Sequence, residues 1–165
     1  MEGLVIAMVI IAFVDVGVEY YLYQGLRERV HNCCARIVVL MPVKRSTLVK
    51  KLDKVFSQYI RLKDADHAGY VSCFTCGVTK NWREVDAGHF QSRGKYATRW
   101  NEDNVKPQCK RCNGFRGGEQ YQFALNLGTN LADELVVQSN QPARFTNEQL
   151  LEKIKHYEKL VKKLL

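Results

Sequence analysis

Apolar residues fall into three patterns along the chain. Residues 4–14 (Leu4-Val5-Ile6-Ala7-Met8-Val9-Ile10-Ile11-Ala12-Phe13-Val14) carry no charge until Asp15 and Glu19 close the run. From residue 46 the spacing becomes helical. Leu48, Leu52, Val55, Phe56, Tyr59 and Ile60 fall at i, i+4, i+7, i+8, i+11 and i+12, with Lys50, Lys51, Lys54 and Arg61 off the stripe. That period predicts an amphipathic helix over 46–63, with Ser46 or Thr47 as its N-cap and Ala68-Gly69 closing the segment. A second stripe, Leu150, Ile154, Tyr157, Val161 and Leu164, follows the capping-box signature Thr146-Asn147-Glu148-Gln149. Lys162 and Lys163 sit where cations complement the helix dipole. Between these helices, residues 128–142 read as a turn, a short helix around Leu131–Val137 and a loop.

The first 40 residues form an apolar extension. Its β-branched content favours a strand, though no alternation fixes one, and Met41 offers an alternative start that would place residues 1–40 upstream of the protein proper. The uncharged run is shorter than the roughly 18–20 residues a spanning helix needs. It also has neither the positive start nor the small-residue cleavage site of a secretory signal. No membrane partner is expected.

Charge separates the same two parts. The sequence of 165 residues has 25 Lys and Arg against 17 Asp and Glu, a net of +8. Residues 1–40 carry three basic and four acidic residues, so their net is −1 and that of 41–165 is +9. A polyanion is therefore the expected partner of the second part. With hydrophobic residues at 46% and charged residues at 25%, the chain is not an acidic disordered or low-complexity protein.

Cysteines supply the most specific signal. Cys73-Phe74-Thr75-Cys76-Gly77 and Cys109-Lys110-Arg111-Cys112-Asn113 are two C-x-x-C pairs with 32 residues between them. Each pair forms a knuckle whose thiolates reach one ion, and two knuckles complete the tetrahedral shell that structural Zn²⁺ prefers. The gap exceeds the roughly 15–20 residues of a plain zinc ribbon, so something is inserted between the knuckles. Disulfides are the competing reading, but a basic chain without an export signal argues against them. Cys33 and Cys34 are adjacent, cannot form a knuckle, and read as free thiols.

The insert holds Val85-Asp86-Ala87-Gly88-His89-Phe90, then Asn104-Val105-Lys106-Pro107-Gln108, and Asn113 follows Cys112 directly. Phosphodiester hydrolysis needs a base for water, a divalent cation for the phosphate and leaving oxygen, and a scaffold. A histidine suits the first role. Asp86 and the Asn113 amide offer the oxygen ligands that Mg²⁺ or Mn²⁺ takes.

This arrangement resembles the HNH, or ββα-metal, nucleases, in the subgroup with zinc-binding cysteine pairs. His89, Asn104 and Asn113 match the His that ends a strand, the Asn in the hairpin, and the final residue on the following helix. Closer still, Lys51-Leu52-Asp53-Lys54-Val55-Phe56-Ser57-Gln58-Tyr59-Ile60-Arg61, Thr75-Cys76-Gly77, Asp86-Ala87-Gly88-His89-Phe90 and Gln108-Cys109-Lys110-Arg111-Cys112-Asn113 resemble the phage lambda NinG (Rap) family of recombination endonucleases, over about residues 44–160. The resemblance implies a structure-specific endonuclease acting on branched DNA, such as Holliday junctions and D-loops, in the host cytoplasm. It implies His89 as general base, Asn104 as the residue that holds the hairpin loop and orients His89, and Asn113 with Asp86 as catalytic-cation ligands. One departure stands out: many HNH enzymes place the acidic ligand immediately before the His, where this chain has Gly88.

Basic residues gather around the insert. Residues 80–116 carry nine basic against four acidic residues, and residues 44–63 seven against one. Arg83, Arg93, Lys95, Arg99, Lys106, Lys110, Arg111 and Arg116 are the expected DNA contacts, with Arg93 in the basic loop Ser92-Arg93-Gly94-Lys95 reaching the scissile or neighbouring phosphate. Such contacts position a backbone without reading bases. Trp82, Tyr96 and Trp100 are expected to pack over the knuckles. Paired cuts at a junction would call for two active sites, hence a homodimer, although no segment declares an interface.

The expected fold is therefore small α+β. A zinc-stabilised ββα-metal module over 70–117 is flanked by the N-terminal helix and by a helical tail over 118–165. The competing function is a non-catalytic zinc-ribbon nucleic-acid-binding protein, which would need the cysteines and basic blocks but neither His89 nor the Asp86 and Asn113 oxygens.

Overall fold

The two amphipathic stripes pack against each other and frame everything else. The structure is a computed structural model and describes residues 43–165; the apolar run, the start at Met41 and the Cys33-Cys34 pair lie outside the described residues. Helix α1 (Arg45–Leu62) buries Leu48, Leu52, Val55, Phe56 and Ile60. Helix α4 (Asn147–Leu164) buries Leu150, Leu151, Ile154, Tyr157 and Val161. The Phe56 and Tyr157 rings meet edge to face at 4.9 Å. Each such apolar side chain contributes roughly 1.5–3 kcal/mol on burial, so this pair is the main stabilising unit.

The helix ends show where local chemistry rules and where it does not. Thr146 forms the predicted capping box with Gln149. At α1, however, the N-cap is Lys44, with no side-chain cap, so neither Ser46 nor Thr47 has that role. The helix ends at Leu62, and Gly69 serves instead in the turn that Asp66 organises by accepting from the Ala68 and Tyr70 amides.

Two small antiparallel sheets lie between the helices. The first pairs β1 (Tyr70–Ser72) with β2 (Thr79–Asn81) and carries the first knuckle at its turn. The second pairs β3 (Val85–His89) with β4 (Val105–Cys109), in the register Val85 to Cys109 and His89 to Val105. Val85 and Val105 point into the α1–α4 core. Pro107 is tolerated because this sheet has only two strands, and its carbonyl accepts the Phe74 N–H at 2.8 Å, which ties the first knuckle to β4. The protein is thus α+β, with its four cysteines drawn together.

After β4 comes a single π-helical turn, Arg111–Phe115, rather than an α-helix. Helix α2 (Gln120–Leu127) follows, within the expected helical tail but at a place where no periodicity singles out a helix, and α3 (Thr129–Ser139) extends the short helix expected around 131–137. α2 docks through Phe123, which is fully buried, stacks on Phe90 and meets Phe74 at a tilt.

The tryptophans do not cover the knuckles. Trp82 and Trp100 belong to the α1–α4 core, and Tyr96 packs edge-on against Trp100. The indole Nε1 of Trp100 donates to Asp53 on α1, a partner that a buried indole requires.

Candidate functional site

Local geometry assembles the cysteines. The Cys73 backbone closes the first knuckle: the Gly77 amide donates to the Cys73 carbonyl and the Cys73 amide to the Val78 carbonyl. Gly77 takes φ +73°, a conformation that favours glycine. The second knuckle joins the end of β4 to the π-turn. All four sulfurs, Cys73, Cys76, Cys109 and Cys112, lie within 4.8 Å of one another, with Cys76 and Cys109 at 3.8 Å. Four Zn–S bonds of about 2.3 Å at tetrahedral angles would set the sulfurs about 3.8 Å apart, so this donor set fits a metal such as zinc.

The thiols are unequal. Burial alone would raise Cys73, but the Thr75 hydroxyl at 3.3 Å and the backbone amides of Cys109, Cys76 and Thr75 outweigh it and bring its pKa down to about 6. Cys112 is pushed up to about 12 by burial and by the neighbouring sulfurs. Crowded sulfurs resist joint ionisation, and a bound dication removes that resistance.

A second site lies on the other side of the β3–β4 hairpin. Asp86, His89, Arg93 and Asn113 line one polar cavity of about 500 Å³, together with Ser57, Ser92, Gly117, Gly118 and Gln120. Asn113 donates its Nδ2 to Asp86 Oδ2 at 3.1 Å. Both ring nitrogens of His89 lie 3.2 Å from a carbonyl, Nδ1 from Ala87 and Nε2 from Arg99. A neutral ring donates to one of them and leaves the other nitrogen basic. Burial lowers the His89 pKa below its ordinary 6.5; the two carbonyls oppose this and the Arg93 charge adds to it.

Asn104 is fully buried and clamps the β3–β4 loop. Its Oδ1 accepts from the Gln91 amide at 2.6 Å, and its Nδ2 donates to the Gln91 and Thr98 carbonyls. Thr98 precedes Arg99, whose carbonyl faces His89, so the clamp sets the position of that carbonyl.

Gly88 explains the departure in the D-A-G-H segment. A Cβ there would lie 1.8 Å from Gln108 Oε1, so this strand position has no room for a carboxylate. The buried Gln108 side chain lies over Gly88 and donates to the Gly118 carbonyl on the cavity wall. A Gly88→Ala variant is expected to lose about 1–3 kcal/mol through overpacking. A thermal melt checks this, and an unchanged melting temperature would show that Gln108 can swing clear.

A family model described as Bacteriophage Lambda NinG protein matches residues 27–165. The chain belongs to the NinG family. The matched span opens upstream of residue 44, where the motif resemblance begins. Protein ninG of Escherichia phage lambda is 28% identical over 99 residues, covering 58% of this chain and 46% of that protein. Protein ninG of Escherichia phage 933W is 29% identical over 99 residues, covering 58% and 47%. The chain thus spans just under half the length of these curated relatives. No solved structure matches.

In this NinG-family chain the expected DNA contacts are dispersed. Arg93 lines the cavity. Arg99 does not face outward: its guanidinium grips Asp53 on α1 at 2.6 and 3.0 Å and donates to the Arg93 carbonyl. That grip braces the loop behind His89. Lys95 donates to Asn140, Lys106 pairs with Asp103, and Arg116 pairs with Glu119. Arg83 lies over the Trp82 ring, while Lys110 and Arg111 border a separate groove beside Cys76 and Cys109.

Several residues with no role in the sequence reading also build the site. Gln120 lines the cavity and donates to the His89 carbonyl at 3.2 Å. Asp53, Thr75 and Gln108 connect α1, the knuckle and the cavity wall. Their side-chain types were visible in the motif; their partners lie up to 47 residues away, as Trp100 does from Asp53. Among the described residues no helix is long and apolar enough to cross a membrane.

Proposed function

We propose that this chain is a metal-dependent endodeoxyribonuclease of the HNH, ββα-metal type that hydrolyses branched DNA, Holliday junctions and D-loops, during phage recombination in the host cytoplasm. The observation that carries the reading is the shared cavity, which brings a half-buried histidine, a carboxylate, an amide and an arginine to one open, polar depression. The motif order on β3, β4 and the π-turn supports it, as does the basic excess of the surrounding residues.

In this reading the Nε2–H of His89 donates to the Arg99 carbonyl, and Nδ1 takes the proton of the attacking water. Asn104 and Arg99 hold the ring's backing in place. Arg93 binds a non-bridging oxygen of the scissile or neighbouring phosphate. Asp86 and the Asn113 side-chain oxygen are hard donors suited to Mg²⁺ or Mn²⁺, which keeps several waters and needs few protein ligands. Such a cation, when bound, offsets charge on the phosphate and the leaving oxygen. Zinc at the cysteines pins both ends of the segment carrying these groups. Paired cuts require two such sites, which a homodimer supplies.

The test uses a labelled four-way junction and a matched linear duplex, each with Mg²⁺ and with EDTA. The expected result is cation-dependent cleavage of the junction in preference to the duplex. Equal cleavage would leave a general nicking enzyme. Binding of both DNAs with no cleavage under Mg²⁺ or Mn²⁺ would overturn the reading in favour of a non-catalytic zinc-ribbon binder.

A further inference from the structure

The segment that leaves the second knuckle carries an aromatic ring that packs against nothing described. Phe115 is 90% exposed, and Tyr121 at the start of α2 is 79% exposed. A lone exposed apolar residue is ordinary. Here, however, the two rings alternate along the chain with residues that line part of the cavity: Asn113 lies two positions before Phe115, and Gly117, Gly118 and Gln120 lie between the rings. An added Cβ at Gly114 or Gly117 would meet nothing within 4 Å, so the backbone around Phe115 is uncrowded as well.

The charge around these rings favours a polyanion over an apolar protein partner. Residues 110–121 carry Lys110, Arg111 and Arg116 against Glu119 alone, and Glu119 is held by Arg116 at 2.6 Å. An exposed aromatic face beside cationic side chains is what an unpaired base with its phosphates requires: the ring offers a stacking platform and the cations follow the backbone. A base inside an intact duplex cannot reach such a ring, because both of its faces are already stacked. The geometry points to Phe115, supported by Tyr121, as a stacking site for a nucleobase left unpaired or unstacked at a DNA branch. The site selects the substrate of the adjacent cavity, and this selection role rests on the nuclease reading above.

Binding without added divalent cation separates the two. The full chain is titrated against a forked duplex with 2-aminopurine at the branch and against a flush duplex of the same length. The wild type is expected to bind the fork more tightly and to change the 2-aminopurine emission. Phe115→Ala should weaken fork binding about tenfold and leave duplex binding within about twofold. Phe115→Trp should restore the fork preference, and Phe115→Leu, which keeps the apolar bulk without the π-face, should not. Equal losses on fork and duplex, no loss at all, or full function of Phe115→Leu would overturn the inference. So would a change in the free protein's sedimentation in Phe115→Ala, which would make the patch an interface between copies. A chain that discriminates the fork through Phe115 yet cuts no DNA keeps this site and loses the nuclease reading. Cleavage whose junction preference ignores Phe115 does the reverse.

Discussion

Replacing His89 with alanine is expected to lower junction cleavage by about 10²–10⁴-fold, the usual contribution of a positioned general base, with DNA affinity unchanged. The reason lies in how the ring is held. One nitrogen faces the Arg99 carbonyl at 3.2 Å, and that carbonyl is fixed by the Asn104 clamp and by the Arg99 grip on Asp53. In the proposed reaction the ring would therefore be set for proton transfer before DNA arrives. Burial depresses its pKa, so the neutral, basic form persists as pH falls below 6.5 and is lost only below that value. The acid limb of kcat/KM is expected there, and nearby cationic charge moves it further in the same direction. The same depression makes the protonated ring unfavourable in the fold, so the stabilising contribution is complete above 6.5 and declines as pH drops through the folded-state value. Single-turnover cleavage from pH 4.5 to 8 checks both the rate and the limb. An Asn104→Ala variant should cut slowly with its acid limb displaced. Wild-type rates in the His89→Ala protein would remove His89 from the chemistry.

Loss of one cysteine sulfur should be as damaging. Cys109→Ser is expected to abolish tight zinc binding, to lower the melting temperature by ten degrees or more, roughly the effect of losing several kcal/mol, and to end cleavage. Apparent binding energies of structural zinc sites, about 10–16 kcal/mol, match or exceed the 5–15 kcal/mol that holds a typical domain folded. Cys109 also ends β4 directly opposite Val85 and precedes the π-turn that bears Asn113. Releasing it frees one wall of the cavity as well as one metal ligand. Atomic spectroscopy on freshly purified protein should find about one zinc per chain; a value far below that in a folded wild type would count against the site. Acid should release the metal, because protons compete for the thiolates.

Legibility in the sequence followed the range of the interaction. The α1 and α4 stripes and the Thr146 capping box are local patterns, and each lies where the spacing placed it. α2 carried little periodic signal, since it is short and docks mainly through Phe123. The π-turn could not be distinguished from an α-turn by composition. Arg99 read as a DNA contact because its type and neighbourhood are basic; its ion pair with Asp53, 46 residues away, arises only through tertiary packing and could not be read from the sequence. Trp82 and Trp100 were misassigned for the same reason, because proximity to a knuckle in sequence does not decide which core an indole enters.

By itself, then, the sequence determined the elements whose information is short-range: two amphipathic helices, two cysteine knuckles, a basic domain after an apolar first quarter, and the residue types of the candidate site. Tertiary structure decided which of those residues face one another. Pro107 accepts the Phe74 amide and so closes the two knuckles on each other. Gly88 leaves room for Gln108, and the resulting hairpin sets Asp86, His89 and Asn113 around one cavity. Those contacts depend on side-chain volume and hydrogen-bond geometry across distant segments, information that linear spacing does not carry.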